Sequence, residues 1–158
     1  MSMAGHPTLR GVNLGNWLLL ERWMSPPLFG DSSAKDEYSL CAMLGSAAEA
    51  HIRRHRDTYI TAPDFGWLAR RGINAVRIPF GYWLLEPDGP FVASPEHLDR
   101  AVMWAEEHGL KVLLDLHGLP GGQSPHDHTG RADHFHWHTD GRYIARSLDL
   151  IEHVAQRY

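Results

Sequence analysis

The sequence predicts an α/β fold with a parallel sheet, and three observations support this prediction. Strand-like and helix-like segments alternate along most of the 158 residues, which is the pattern of successive βα units. The run Val112-Leu113-Leu114 is apolar on both faces of its strand, as in a parallel strand covered by helices. No change in composition marks a linker between domains. Because parallel strands need right-handed crossovers, the sheet is either a small open sheet or part of a barrel.

Three strands are predicted from short apolar runs bounded by turn residues. They cover 9–14, 73–80 and 111–117. A long connection rich in aromatic residues and prolines follows the first strand, through Phe29. In the second strand Val76 and Ile78 lie on one face and Arg77 lies on the other, since side chains alternate along a strand.

Two helices between the first and second strands are predicted from capping boxes, in which Ser or Thr precedes an acidic residue by three positions. The pairs are Ser46 with Glu49 and Thr61 with Asp64. The first helix continues to about residue 58, and Gly72 ends the second.

Two further helices follow the second and third strands. Ser94 is a candidate N-cap, Pro95 suits the first helical position and Gly109 ends this helix, whose apolar side combines Leu98, Val102 and Ala105. The last helix covers about 142–157, and we expect its buried side to consist of Ile144, Leu148 and Ile151.

Composition excludes several classes of protein. With 43% hydrophobic and 22% charged residues the chain is not disordered, and a net charge of −4 gives no basic field for nucleic acid. Cys41 is the only cysteine, so no internal disulfide forms. The longest apolar run, 17–20, is too short to cross a membrane. Residues 1–10 lack a signal-peptide pattern, so we expect a cytoplasmic location.

Candidate chemistry lies at the carboxyl ends of the predicted strands, where α/β folds place their sites. Asp115 and His117 share a face of the third strand, and Arg77 is on the neighbouring strand. For Arg77 and Asp115 the simpler interpretation is mutual neutralisation, although Arg77 can also serve a ligand. For His117 we favour a site role over a histidine bonded to backbone in the core.

Aromatic residues beside carboxylates suit a sugar, because flat rings cover the C–H face of a pyranose while polar groups bind its hydroxyls. The candidates are Trp17, Trp23, Tyr82, Trp83 and Trp137. The alternative is that such residues fill the core, and for Trp67 and Trp104, which lie within helices, we favour it.

The His-rich stretch 126–138 could supply metal ligands, but no Cys pair accompanies it, and the stretch lies in a predicted loop without a helical His-x-x-x-His of its own. A solvated loop is the favoured interpretation, and neither a metal nor a cofactor is expected. Phosphate-loop, Gly-x-Ser-x-Gly and Gly-x-Gly-x-x-Gly patterns are absent from the sequence.

Three segments resemble glycoside hydrolase family 5, specifically its exo-β-1,3-glucanase branch. They are Arg10-Gly-Val-Asn-Leu-Gly-Asn-Trp17 leading to Leu20-Glu21, Asn74-Ala-Val-Arg-Ile-Pro-Phe-Gly-Tyr-Trp83, and Leu114-Asp-Leu-His-Gly-Leu-Pro-Gly-Gly-Gln123. Their order and separations match the family. The resemblance implies a (β/α)₈ TIM barrel and retaining hydrolysis of β-glucans by two Glu residues.

The resemblance also implies which residues contact the substrate. It assigns Glu21 to sugar binding, Arg77 to holding and tuning the nucleophile, and His117 to a sugar hydroxyl. Tyr82, Trp83 and Asp127 are the remaining predicted contacts. The expected partner is therefore a β-glucan or oligosaccharide.

Residues 1–158 are expected to form one partial barrel domain of about three β/α units, ending before the fourth strand. In the family the acid/base Glu ends the fourth strand and the nucleophile Glu ends the seventh, so we expect no catalytic residue in this chain. Unpaired strand edges predict self-association. The alternatives are a non-catalytic carbohydrate-binding protein or a structural half-barrel.

Overall fold

The computed structural model describes residues 8–158, which form a three-stranded parallel sheet with helices packed on one face. The strands are β1 (Gly11–Asn13), β2 (Ala75–Gly81) and β3 (Lys111–Gly118), in the order β1-β2-β3. The predicted α/β class and the three strands are confirmed. The expected cytoplasmic location was based on residues 1–10, and residues 1–7 of this segment lie outside the described part.

Six α-helices connect and follow these strands. They are α1 (Pro26–Phe29), α2 (Glu37–Leu44), α3 (Ala48–Thr58), α4 (Ala62–Arg70), α5 (Pro95–Glu107) and α6 (Gly141–Arg157). Short 3₁₀ turns occupy Gly45–Ala47, Tyr82–Leu84 and Asp127–Thr129. Within the described residues, no helix is both long enough and apolar enough to cross a bilayer.

Helix caps agree with the sequence in one place and differ in two. The capping box of Thr61 and Asp64 opens α4 as predicted. The prediction for Ser46 is wrong, because Ser46 lies in a 3₁₀ turn that runs directly from α2 into α3, and no side chain caps α3. Ser94 precedes α5, but its hydroxyl accepts a hydrogen bond from Arg56 instead of capping the helix.

The main core lies between the sheet and the helices that cover it. Val76 and Ile78 of β2 pack there against Leu98 and Ala105 of α5, all at most 1% exposed. Leu113 points to the opposite face and is 61% exposed. The expectation that helices cover both faces of β3 is therefore wrong for residues 8–158. We call the uncovered face, on which Leu113 lies, the open face of the sheet.

The last helix packs on a different side from the one predicted. Ser147 and Leu150 are buried, whereas Ile144, Leu148 and Ile151 are between 37% and 61% exposed. The apolar arc of α6 is wider than its contact with the sheet, so the apolar pattern alone did not identify which part of the arc is covered.

Candidate functional site

Arg77 is the centre of a polar group on the open face of the sheet. Its Nη1 donates to Oδ1 of Asn13 on β1 at 2.7 Å, and its Nη2 donates to Oδ2 of Asp115 on β3 at 2.6 Å. Arg77 pairs in register with Asn13, and Pro79 pairs with Asp115. Because side chains two residues apart share a face, this register places all three polar side chains together. The predicted ion pair of Arg77 and Asp115 is present.

His117 completes this group from the end of β3. Its Nδ1 lies 2.9 Å from Oδ2 of Asp115 and 3.2 Å from Nη2 of Arg77. The shorter contact to the carboxylate makes Nδ1 the ring nitrogen that donates to Asp115. Burial opposes ionisation of Asp115, but the hydrogen bond from His117 and the charges of His117 and Arg77 hold its pKa below the usual range.

His128 connects the sheet face to the loops around it. Its ring centroid is 5.1 Å from that of His117, and its Nε2 is 3.0 Å from Ser124 Oγ. Burial and the charge of His117 lower the pKa of His128, although the charges of Glu21 and Asp127 oppose that change. The sequence pattern places His128 within the His-rich stretch and contains no signal for its position beside His117.

The loop after β1 and the turn after β3 meet at Asp127, whose Oδ2 accepts from the backbone N–H of Arg22 at 3.1 Å. Beside this contact, Glu21 accepts a hydrogen bond from Nε1 of Trp23 at 3.0 Å, and the Trp23 side chain is 70% exposed. A shallow cleft of about 500 Å³ lies along Trp23 and Asp127, with Lys35 on its rim. An exposed indole next to carboxylates is the arrangement expected for sugar binding.

Asn16 fixes the backbone that carries Glu21. It is 1% exposed, has a positive φ of 59°, and its Oδ1 accepts from the N–H of Glu21 at 2.9 Å. Its backbone carbonyl is 2.7 Å from Nε2 of His55 on α3. Asn tolerates the left-handed conformation better than most residues, so this turn is consistent with the residue type.

Two predicted substrate contacts lie elsewhere. The Trp83 side chain is fully buried, stacks on Phe91 at 4.1 Å and donates from Nε1 to Glu37 at 2.9 Å. It presents no surface to a sugar, so the structure contradicts that contact. Tyr82 is 8% exposed and donates its hydroxyl to Asp88 at 2.5 Å, apart from the Arg77 group. An indole after a strand end can turn inward or outward, and the sequence does not decide between these.

Other aromatic residues also depart from expectation. Trp17, a predicted sugar contact, is 1% exposed and donates to the Arg56 carbonyl, so it is a core residue. Trp104 stacks on Trp17, as expected for a core position. Trp67 was predicted to be buried, but it is 48% exposed and lies 3.9 Å beneath the guanidinium of Arg71. Trp137 is half-buried and donates to Ser147.

No group of three or more His, Cys, Asp and Glu side chains in residues 8–158 is arranged to hold a metal ion. The imidazoles of the His-rich stretch instead contact one another and neighbouring aromatic rings. His134 lies against His136 and Tyr143, while Phe135 lies against His138.

Comparison with known proteins finds similarity along nearly the whole chain. The "Probable glucan 1,3-beta-glucosidase A" of Emericella nidulans is 47% identical over 156 residues, which are 95% of this chain and 38% of that protein. "Glucan 1,3-beta-glucosidase 1" of Schizosaccharomyces pombe is 40% identical over 95% of this chain and 39% of its own length. The chain thus spans about two-fifths of these relatives. No protein-family model matches it.

Solved structures agree with this similarity. The crystal structure of rutinosidase from Aspergillus niger superposes with a TM-score of 0.79 at 29% identity, over 91% of this chain and 42% of the rutinosidase chain. The crystal structure of AoRut gives a TM-score of 0.81 at 29% identity, over 92% of this chain and 42% of its own.

Proposed function

We propose that this chain, which corresponds to the N-terminal portion of the exo-β-1,3-glucanase branch of glycoside hydrolase family 5, binds β-glucan. Its three β/α units are the N-terminal part of a TIM barrel. The relatives are named for glucan hydrolysis, and a carbohydrate ligand follows for this chain by that similarity. The proposed contacts are Glu21, Arg77, His117 and Asp127.

One observation carries the proposal: polar and aromatic groups extend from the open sheet face to an exposed indole, and the turn after β3 meets the loop after β1 where Asp127 accepts from the N–H of Arg22. Arg77 contacts His117, the His117 ring lies beside His128, and Glu21 bonds Trp23. These groups offer guanidinium and imidazole donors, carboxylate acceptors and one flat apolar surface. Sugar hydroxyls need both donors and acceptors, and a pyranose face needs an apolar surface.

The proposed role of the Arg77 group is binding and electrostatic positioning. A retaining glycosidase uses one protonated and one ionised carboxyl group, about 5–5.5 Å apart. Asp115 is poorly suited to donate a proton, because His117 and Arg77 lower its pKa. We therefore propose that residues 1–158, a single partial barrel domain ending before the fourth strand, supply substrate contacts without the catalytic carboxyl pair. A non-catalytic carbohydrate-binding protein is the second candidate, and the lowered pKa of Asp115, which makes it a poor proton donor, favours this candidate as well.

Self-association is a further part of this proposal. The β3 strand is an edge of the described sheet, and Leu113 on its open face is 61% exposed. Unpaired edges of this kind template association between chains. Sedimentation velocity over a range of concentrations measures it; a single monomeric species at all concentrations contradicts it.

Calorimetric titration with laminaritriose tests the proposed glucan site. Trp23→Ala should weaken binding about tenfold, since an aromatic stacking contact and its buried area are lost. Tyr158→Ala is the matched control, because Tyr158 is also an exposed aromatic residue bonded to a carboxylate, that of Asp99, at the far end of α6. Equal effects of the two substitutions, or unchanged affinity in Trp23→Ala, would exclude the proposed cleft.

Hydrolysis is tested on the same material with an aryl β-glucoside. The expected result is no turnover above the rate of buffer alone. Turnover by the purified chain that disappears in Asp115→Asn would show that a carboxyl group among these residues is catalytic, and it would overturn the binding-only role.

A further inference from the structure

A second cavity lies beside the candidate site and contains none of the Arg77 group. Its volume is about 320 Å³, and its walls come from α2, the 3₁₀ turn after β2 and the loop that follows it, the loop after β3 and the first two turns of α6. Aromatic rings form much of the lining, namely those of Tyr38, Tyr82, Phe91 and Tyr143. Asp88, Arg131, His134 and Arg146 add charged or polar groups. The cavity therefore combines flat apolar surfaces with a polar rim.

Some polar groups of this rim are already paired. Oδ2 of Asp88 accepts from Tyr82 at 2.5 Å, and Arg146 is bound to Glu86 at 2.7 Å. Arg131 donates from Nε to Asp133 at 2.9 Å, and its guanidinium lies 4.0 Å from the ring centroid of Tyr38.

Other polar atoms of the rim have capacity for a ligand. Among the side chains of residues 8–158, no hydrogen-bond acceptor is found for the Tyr38 hydroxyl or for the two terminal nitrogens of Arg131. Oδ1 of Asp88 accepts no hydrogen bond from this part of the chain. A ligand in the cavity would thus meet donors from Tyr38 and Arg131 and an acceptor from Asp88.

The mixture of charges selects the class of ligand. An anion would meet the Asp88 carboxylate, and a cation would meet the guanidinium groups of Arg131 and Arg146, so neither is favoured. A neutral molecule rich in hydroxyl groups satisfies the donors and the acceptor together, and its C–H face can lie on tyrosine rings. The volume is at the lower end of the usual range for ligand sites, roughly 300–1,000 Å³, which suits one sugar ring.

We propose that this cavity is a second carbohydrate site, which takes a single neutral pyranose. The choice of a sugar rests in part on the proposed glucan binding, whereas the cavity and its rim do not. The two sites are adjacent, because the turn Asp127–Thr129 has Asp127 at the glucan cleft and Thr129 in the cavity wall. A glucan chain held at the first site would bring further sugar units close to the second.

Two glycines maintain the shape of the cavity wall. Gly121 and Gly122 have positive φ values of 78° and 67°, a conformation that other residues adopt with strain. A side chain at Gly121 would overlap the ring of Tyr143, and one at Gly122 would overlap the carbonyl of His134. The loop after β3 can therefore approach α6 closely and close that side of the cavity.

Amide NMR of the full chain, titrated with D-glucose, tests the proposal. Glucose should shift the amide signals of Gly121, Gly122 and Thr129, which line the cavity. Arg131→Gln should weaken this binding about tenfold, because it removes a charged hydrogen-bond donor. Arg142→Gln is the matched control, because the Arg142 side chain is 88% exposed, pairs with Asp140 and is not part of the cavity lining. The affinity of the Arg142→Gln variant for glucose should be unchanged.

Tyr38→Phe gives a second test if Arg131→Gln does not fold. It removes one hydroxyl and keeps the ring, so glucose binding should weaken by a few-fold. Signals of the three cavity amides that do not move with glucose overturn the second site. Equal loss of affinity in Arg131→Gln and Arg142→Gln overturns it as well.

Titration with laminaritriose separates this proposal from the glucan site. A shift of the Trp23 indole signal without any change at Gly121 and Gly122 supports the proposed glucan site and refutes the second carbohydrate site. Cavity shifts without a change at Trp23 support the cavity and refute the cleft. Absence of both sets of shifts refutes both sites.

Discussion

Two arginine–carboxylate pairs in this molecule have nearly the same contact and very different surroundings. Arg56 on α3 lies 2.8 Å from Glu37 on α2, and both side chains are 0% exposed. Arg77 on β2 lies 2.6 Å from Asp115 on β3, with side chains 35% and 26% exposed. The first pair is enclosed by the core, whereas the second lies on the open face of the sheet.

The buried pair of Arg56 and Glu37 has a structural role, because its hydrogen bonds are made to other buried groups of the protein. Arg56 also donates to Ser94 and to the carbonyl of Val92, while Glu37 accepts from the N–H of Leu20 and from Trp83. Burial raises the pKa of Glu37 although the Arg56 charge opposes this, in contrast to the lowered pKa of Asp115. Both arginines are paired with a carboxylate, so it is the partial exposure of Arg77 that lets it contact the proposed ligand.

The largest expected effect follows from breaking the buried pair. Arg56→Met leaves the Glu37 carboxylate buried without its cation, which should lower the free energy of unfolding by about 3–5 kcal/mol. Urea denaturation followed by circular dichroism measures this. The double variant Glu37→Gln/Arg56→Met removes both charges and keeps an amide acceptor for Leu20 and Trp83, so it should be more stable than Arg56→Met alone. A double variant as unstable as the single one would contradict an electrostatic cause.

A smaller effect on stability is expected at the open face. Arg77→Met should lower the free energy of unfolding by only about 0.2–1 kcal/mol, since solvent already screens this half-exposed pair. The same substitution should reduce laminaritriose binding, which calorimetry measures. A loss of stability equal to that of Arg56→Met would remove the distinction between the two pairs.

The smallest effect concerns acidic pH. Burial lowers the pKa of His97, assisted by the charges of Arg100 and Arg56, and burial also lowers the pKa of His128. As the pH falls, the unfolded chain therefore binds protons at these histidines at a higher pH than the folded chain does. Their contribution to stability is fully present above about pH 6.5 and decreases as the pH falls below that value.

Thermal unfolding between pH 7.5 and pH 5.5 measures this dependence. His97→Gln should flatten it more than His128→Gln, because the side chain of His97 is only 2% exposed. A slope of opposite sign, or one that neither substitution flattens, would contradict the role of these two histidines.

The sequence predicts the open face better than the buried pair, for a physical reason. The period of two along a strand places Asp115 and His117 on one face, and parallel pairing then brings Arg77 to them. Glu37 and Arg56 are on separate helices 19 positions apart, and no local pattern links them. The capping box that Asp36 forms with Ser39 was also missed, since Ser is not the usual acceptor at that position.

Side-chain direction at the ends of elements was the other difficulty. Trp83 follows β2, and its position in the chain is equally compatible with a ligand contact and with burial. The exposed stripe of Ile144, Leu148 and Ile151 has the spacing of a buried face, but Leu150 occupies that place. Tertiary packing decides both cases, and it depends on segments distant in the sequence.

The packing around Trp83 has a consequence for how this sequence can vary. Gly81, Gly118 and Gly130 come from three separate segments, and a side chain added at any of them would overlap the same indole. Replacing Gly81 or Gly118 by alanine therefore becomes tolerable only after the indole has been exchanged for a smaller ring, whereas Gly130, with a positive φ of 81°, disfavours alanine even then. Across descendants of this gene, a homologue with alanine in place of Gly81 or Gly118 should lack tryptophan in place of Trp83.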